Sequence, residues 1–199
     1  ECLLQKSYDG FVRSGALLDE EGKARLRALT EEGSMLSLQF SQNLLKEKKA
    51  FSLHLTDEND LKGLPDTIKE AARHEAKERN LDGWVFTLDF PSYGPFMQYA
   101  ENRDLREKMF MAYNTLCTHE NETNNIDICK RLINIRRETA QLLGYDTYAD
   151  YVLVKRMASN VANVYKLLDD LIEAYKPTAV AEKEELKQMA KRMNGDDFK

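Results

Sequence analysis

The sequence predicts a mainly α-helical fold, a helical bundle with one small ancillary pair of strands. Three observations carry that reading. Only 4 Pro and 9 Gly occur in 199 residues, whereas Ala, Leu, Glu, Lys and Arg are abundant, which is the composition of long helices rather than of a turn-rich β fold. Apolar residues recur mostly at helical spacing. Period-two alternation is confined to two short runs. With 42% apolar residues the chain has enough material for a continuous core.

Taken in order, Cys2 to Arg13 carries Leu3, Leu4, Tyr8, Phe11 and Val12 at helical spacing, and Ser14-Gly15 marks a stop. Asp19 is a good N-cap for an amphipathic run to about Lys46, with Leu26, Leu29, Leu36, Phe40 and Leu44 on one stripe. Gly33 weakens the middle of that helix only modestly. Between Ala50 and Thr56 the period becomes two, Phe51, Leu53 and Leu55 alternating with polar residues, and Trp84 to Phe90 is a second such run. Pro65 suits the first turn of an intervening helix to about Arg79. Pro91-Ser92-Tyr93-Gly94-Pro95 is expected to break regular structure as a loop and return the chain to helices.

Asn102 is placed to cap a helix to about Leu116, and Asn124 or Asn125 another from Ile126 to Leu143 that ends at Gly144. On the second of these, Ile126, Cys129, Ile133, Ala140 and Leu143 form one stripe and Ile128, Leu132, Ile135 and Leu142 its neighbour. Two apolar stripes predict a helix covered on two sides, the centre of the bundle. Thr147 and Asp150 fit a capping box for a short helix through Val154. A longer helix follows from Ser159, with Val161, Val164, Leu168, Leu171 and Tyr175 inward and Pro177 expected to kink or interrupt it. No repeat, low-complexity tract or linker divides residues 1–199, which are expected to form a single helical unit.

The formal charge of -5, with both signs interleaved, offers no basic field for a phosphate backbone, so nucleic acid is excluded as an expected partner. No apolar run approaches the roughly 20 residues that span a bilayer. Three cysteines, Cys2, Cys117 and Cys129, are an odd number without close pairing, which points to a reducing, cytoplasmic compartment; export of the whole protein stays open. The start at Glu1 shows neither a methionine nor a signal-peptide pattern, and Asn194 to Lys199 lacks a closing element. The chain is expected to be a piece of a longer protein.

His74-Glu75-Ala76-Lys77-Glu78 is the nearest approach to a catalytic signature, because a zinc peptidase uses two imidazoles one turn apart beside a glutamate. The second imidazole is absent, and Arg73, Lys77 and Arg79 give the segment the character of a solvated face. Cys117, His119 and Cys129 offer three donors where structural zinc takes four, and Cys129 is expected to be a buried thiol. Asn121-Glu122-Thr123 satisfies the glycosylation triplet but reads as a polar loop. Carboxylate neighbours such as Asp169-Asp170 and Glu184-Glu185 point apart on a helix. The expectation is therefore no catalytic residue, no metal ligand and no cofactor in this chain.

Several strings go further. Phe11-Val12-Arg13-Ser14-Gly15-Ala16, Phe40-Ser41-Gln42-Asn43, Leu61-Lys62-Gly63-Leu64-Pro65 and Trp84-Val85-Phe86-Thr87-Leu88-Asp89-Phe90-Pro91 are four of them. Glu101-Asn102-Arg103-Asp104-Leu105-Arg106-Glu107, Leu142-Leu143-Gly144-Tyr145-Asp146-Thr147-Tyr148-Ala149-Asp150-Tyr151 and Met157-Ala158 complete the set. Their order and spacing resemble the peptidyl-dipeptidases, or dipeptidyl carboxypeptidases, relatives of oligopeptidase A and thimet oligopeptidase. The choice of peptidyl-dipeptidase rests mainly on Arg13-Ser14-Gly15-Ala16.

The resemblance implies a helical molecule of two halves with a channel between them, and an H-E-x-x-H zinc motif in the half that follows. This chain corresponds to the amino-terminal, non-catalytic half. It implies zinc in the parent, short peptides as substrates, and the catalytic half of the same polypeptide as partner. What it implies for this piece is a wall that limits access. Tyr93 and Phe96, in the Pro91 to Phe96 segment, are the candidate channel-lining residues; the alternative is that they seal the strand pair to the bundle. The functional alternatives are an oligopeptidase A-like endopeptidase and a stand-alone helical binding or scaffold module.

Overall fold

Eight α-helices and one two-stranded antiparallel sheet are found among residues 2–195, the part described by the computed structural model. In chain order they are α1 (Cys2–Arg13), α2 (Glu20–Ala50), β1 (Leu53–Leu55), a 3₁₀ turn (Glu58–Leu61), α3 (Asp66–Glu78) and β2 (Trp84–Phe86). There follow α4 (Phe90–Tyr99), α5 (Arg103–Asn114), α6 (Ile126–Leu142), α7 (Tyr148–Leu153) and α8 (Val161–Asn194). The fold is mainly helical, as composition and periodicity predict. Its contacts group into two compact units, Lys23–Ile135 and Glu1–Gly22 with Arg136–Lys199. No helix of the described residues is long and apolar enough to cross a membrane.

In the Lys23–Ile135 unit the strands pair Leu53 with Phe86, His54 with Val85 and Leu55 with Trp84. The sheet is small but central. Every residue of β2 is buried, and around it gather Leu55, Leu61, Leu64, Ala72, Leu88, Phe96, Ala100, Leu105 and Met109. Trp84 lies under Arg73 of α3 and Phe86 meets Phe96 of α4, so a three-residue strand organises more apolar surface than its length suggests. Gly63 is required where it stands: its φ is +83°, and a Cβ there would lie 2.1 Å from the Tyr99 carbonyl oxygen. The backbone of the turn thereby reaches the end of α4, where Glu101 N–H donates to the Lys62 carbonyl at 3.0 Å.

The segment read as a loop at Pro91 to Pro95 is instead the body of α4. Pro91 sits in the first turn, where no N–H is needed, and the Asp89 carbonyl accepts from Ser92 and Tyr93 N–H at 2.9 and 2.8 Å. Pro95 removes one helical bond. Burial of Phe96 and Ala100 on the far side outweighs that loss, a case of packing overriding propensity. Phe90, expected at the end of the second strand, opens this helix.

α2 and α6 pack through Leu29, Ile128 and Ile135, all buried. A Cβ on Gly33 would meet Ile135 Cγ2 at 3.5 Å, an ordinary contact, so α2 runs through Gly33 undisturbed. Arg131 clamps Glu32 with two bonds of 2.6 Å, Nε to Oε1 and Nη2 to Oε2. The expectation that α6 is covered on two sides holds only in part among the described residues. Its Ile128/Ile135 stripe is buried, but Ile126 and Ile133 are 42% and 63% exposed, and Cys129, expected to be buried, is exposed. Ala140, further along the same stripe, is buried, so the second side is covered only toward the end of α6.

In the other unit the local signals hold closely. The Thr147 and Asp150 side chains form the expected reciprocal capping box on α7. Past α6, Gly144 takes φ +83°, so that Tyr145 N–H reaches the Ala140 carbonyl at 2.9 Å and Gly144 N–H the Gln141 carbonyl at 3.0 Å. That pair of bonds is the left-handed helix ending in which glycine avoids a Cβ clash. α8 is capped by Asn160, whose Oδ1 accepts from Asn163 N–H, one residue later than the Ser159 start expected. It also continues through Pro177 rather than breaking. The carbonyl deprived of its partner, that of Glu173, lies on an exposed stretch where water can serve it. Leu168, Leu171 and Tyr175, expected inward, are 48%, 43% and 67% exposed.

Candidate functional site

Tyr93 and Phe96 both lie on α4, but their surroundings differ. Phe96 is 0% exposed and meets Phe86 edge to face, ring centroids 4.7 Å apart. Tyr93 is half-buried and stacks on Tyr113 of α5 at 4.2 Å with the planes 15° apart. One side chain is core and the other retains an accessible edge.

Beside the start of α4 lies a surface groove of about 220 Å³, with Ile68, Ala72 and Glu75 from α3, Val85 from β2, and Asp89 and Ser92 at its rim. Its floor is apolar and its rim polar groups are engaged. Glu75 accepts from Arg79 Nε at 2.8 Å and Asp89 pairs with Lys48 Nζ at 2.8 Å. Ser92 Oγ accepts from Thr87 N–H at 3.0 Å. Such a surface can take up an apolar side chain, but it contains no nucleophile with a base to activate it. Neither Tyr93 nor Phe96 lines it.

The His74 to Glu78 segment is a solvated helix face, as its flanking charges suggest. His74 Nδ1 stands 3.9 Å from Glu78 Oε1 with both side chains largely exposed, while Glu75 turns to Arg79. No group of three or more His, Cys, Asp or Glu side chains able to hold a metal occurs among the described residues. The described residues thus offer no donor set for the zinc, which the family resemblance places in the half that follows.

Cys117 and Cys129 are not brought together as donors. Cys117, at φ +58°, is 3% exposed in the loop after α5. Glu47 of α2 pins that loop: its Oε2 accepts from Cys117 N–H at 2.7 Å and from Thr123 Oγ1 at 3.0 Å. Asn43 Nδ2 donates to Asn125 Oδ1 at 2.9 Å, and Asn125 Nδ2 donates to the Phe40 carbonyl at 3.1 Å. Thr123 of the glycosylation triplet is buried and its N–H donates to Asn121 Oδ1 at 3.0 Å, so the triplet is part of this anchored loop. Burial, then the hydrogen bond and charge of Glu47, push the Cys117 thiol up to about 11.

Cys117 is accordingly expected to resist iodoacetamide at pH 8 while Cys129 is alkylated, by at least about a hundredfold in rate, because the thiolate is the reactive form and burial blocks access. Peptide mapping after brief labelling checks this, and equal labelling would contradict the buried geometry. The same shift has a direction in pH. Between the ordinary thiol value of 9.0 and about 11 the unfolded chain loses this proton while the folded chain keeps it, so stability falls as pH rises through that window.

Two of the strings that carry the family resemblance meet in space. Arg13 Nη1 donates to Tyr145 Oη at 3.0 Å and Nη2 to the Tyr151 carbonyl at 2.6 Å, across 132 and 138 residues of chain. Its guanidinium lies 4.4 Å from the Tyr151 ring centroid and 5.7 Å from that of Tyr145. The rings are 5.3 Å apart, edge to face. An arginine serves here where lysine would not, since its planar fork bonds in two directions while its face stacks. The roles of Arg13, Glu47 and Tyr113 are not legible from sequence spacing.

The model of peptidase family M3 matches residues 96–199. Among individual proteins, oligopeptidase A of Haemophilus influenzae is 36% identical over 92% of this chain, and oligopeptidase A of Escherichia coli 34% identical over 97%. The dipeptidyl carboxypeptidase of Escherichia coli is 28% identical over 97% of the chain. This chain spans 28% to 30% of the length of those relatives. With half the chain matched by the family model and nearly all of it aligned to these peptidases, the chain belongs to peptidase family M3.

Proposed function

We propose that this chain is an access-limiting, non-catalytic part of a zinc-dependent peptidase that hydrolyses short peptides. The observation that carries the reading is the alignment with oligopeptidase A over 92% of this chain but only 28% of that protein. The described residues supply helical walls and a compact core, with no metal-holding group among them. The zinc ligands and the catalytic glutamate are proposed to lie in the remainder of the polypeptide. A cytoplasmic location is proposed from the odd, unpaired cysteines and from relatives that include a plant protein named as a probable cytosolic oligopeptidase A. Tyr93, with its accessible edge, is the better channel-lining candidate; Phe96 would act only by holding α4 in place.

Two positions of cleavage are supported by different observations. The Arg13-Ser14-Gly15-Ala16 string favours release of C-terminal dipeptides, as the dipeptidyl carboxypeptidases are named for. The higher identity, 34% to 36%, with proteins named oligopeptidase A favours cuts inside the peptide, and this is the reading preferred here. The test uses the full-length protein on a decapeptide with either a free or an amidated C-terminus, with products read by mass spectrometry. Cleavage of both at internal bonds is the expected result. Serial loss of dipeptides from the free peptide alone would establish the dipeptidyl mode instead, because that mode reads the terminal carboxylate. Hydrolysis of neither would leave a binding or scaffold role.

A further inference from the structure

We propose that the apolar stripe of α8 is an intramolecular docking surface, covered in the whole protein by the apolar face of one or more helices from the part of the polypeptide outside residues 1–199. α8 is 34 residues long, roughly 50 Å at helical rise. Val161, Val164, Leu168, Leu171, Ile172, Tyr175, Leu186, Met189 and Met193 follow one another at helical repeat. They fall within an arc of roughly 120° at 100° per residue. Between Tyr175 and Leu186, about three turns, the face carries Thr178, Ala179 and Glu182, and the stripe then resumes in the same phase.

None of α8 is buried, and its apolar residues show large exposures, 48% for Leu168, 57% for Ile172, 71% for Leu186 and 50% for Met189. The polar face is satisfied within the helix, by Lys166 with Asp170 at 2.7 Å and by Gln188 with Glu184 at 2.7 Å. Val161 and Val164 are half-buried at the start of the helix, but from Leu168 onward the stripe is exposed, which is the pattern of a packing surface and not of a solvated helix.

The occupant is chosen by the size of the family's proteins. α8 lies within the segment matched by the family model, residues 96–199, and the relatives that align over nearly the whole chain carry most of their length outside the aligned region. A single polypeptide of that length has the further helices needed, and ridges-into-grooves packing along several turns needs no second molecule. The inference rests on family membership and not on the activity proposed above.

The test uses the full-length protein with p-benzoylphenylalanine placed singly at Tyr175 or at Leu186, on the stripe, and at Asp170, on the polar face. Tyr175 is the more conservative of the two, one aromatic for another. Irradiation followed by peptide mapping is expected to join both stripe positions to peptides from outside residues 1–199 within one chain, and Asp170 to none. In parallel, a Leu168→Cys thiol is expected to be alkylated at least about a hundredfold more slowly than an Asp170→Cys thiol, at every protein concentration. Cross-links to a second copy, with protection that vanishes on dilution, would overturn the proposal in favour of a dimer. Cross-links confined to residues 1–199, or equal alkylation of the two thiols, would overturn it as well. Neither readout requires peptide hydrolysis, so an inactive protein would count against the proposed function and leave this inference standing.

Discussion

Replacing Phe96 with alanine is expected to speed amide exchange across β2 and α4 by a hundred- to several-thousandfold. The ring is 0% exposed, lies edge to face with Phe86, and belongs to the cluster that holds α3, α4, α5 and both strands together. Truncating a buried phenylalanine costs about 3–5 kcal/mol in lost transfer and cavity terms, and each 1.4 kcal/mol is a factor of ten. Pro95 makes the consequence local, because α4 relies on that packing to offset the missing helical bond. Hydrogen exchange read by mass spectrometry on peptides covering Trp84–Phe86 and Phe90–Tyr99 checks it. Less than a tenfold change would mean that the cluster does not support the helix.

Tyr93→Ala gives the contrast. Its ring is half-buried and its main partner, Tyr113, is itself 38% exposed, so the stack contributes only about 0.5–1.5 kcal/mol beyond area burial. A change in peptide-length preference in the full-length Tyr93→Ala protein can therefore be read as an effect on access. The same change in Phe96→Ala could not, since α4 itself would be loosened.

The second large effect concerns size selection. The full-length protein is expected to turn over a peptide of about ten residues, which reaches roughly 35 Å when extended, and to leave a stably folded protein intact. The expected difference in kcat/KM is at least about a thousandfold, since a folded chain offers its bonds only in the rare unfolded fraction of about 10⁻³ to 10⁻⁶. A reduced and carboxymethylated protein separates the two causes of resistance. If the helical wall filters by length, that unfolded long chain is also cleaved far more slowly per bond than the decapeptide. Comparable cleavage of the folded protein under native conditions would refute the filter, and rapid cleavage of the long unfolded chain alone would restrict it to a requirement for unfolding.

What the sequence by itself determined is everything written in local chemistry. Asn102, whose Oδ1 accepts from Asp104 and Leu105 N–H, the Thr147/Asp150 box and Gly144 in the left-handed region are decisions made within four residues, and each stood where the residue types place it. The helical class, the two short strands and the absence of a second imidazole near His74 follow in the same way, and the family strings were readable as strings.

What only the tertiary structure decided are the matters settled between residues far apart. Whether Pro91 to Pro95 is a loop or a helix depends on the burial of Phe96 against Phe86, not on the two prolines. Cys117 stands in a polar stretch and Cys129 on an apolar stripe, yet Glu47 and the α5–α6 loop enclose the first while the second is exposed. Arg13 is an ordinary helix-end cation until Tyr145 and Tyr151 arrive across more than a hundred residues. An apolar stripe, finally, states that a face wants a partner but not which one. On α6 one stripe is buried and its neighbour is exposed at Ile126, Cys129 and Ile133, and on α8 the stripe is exposed from Leu168 onward, because burial is a property of two surfaces and periodicity describes only the first.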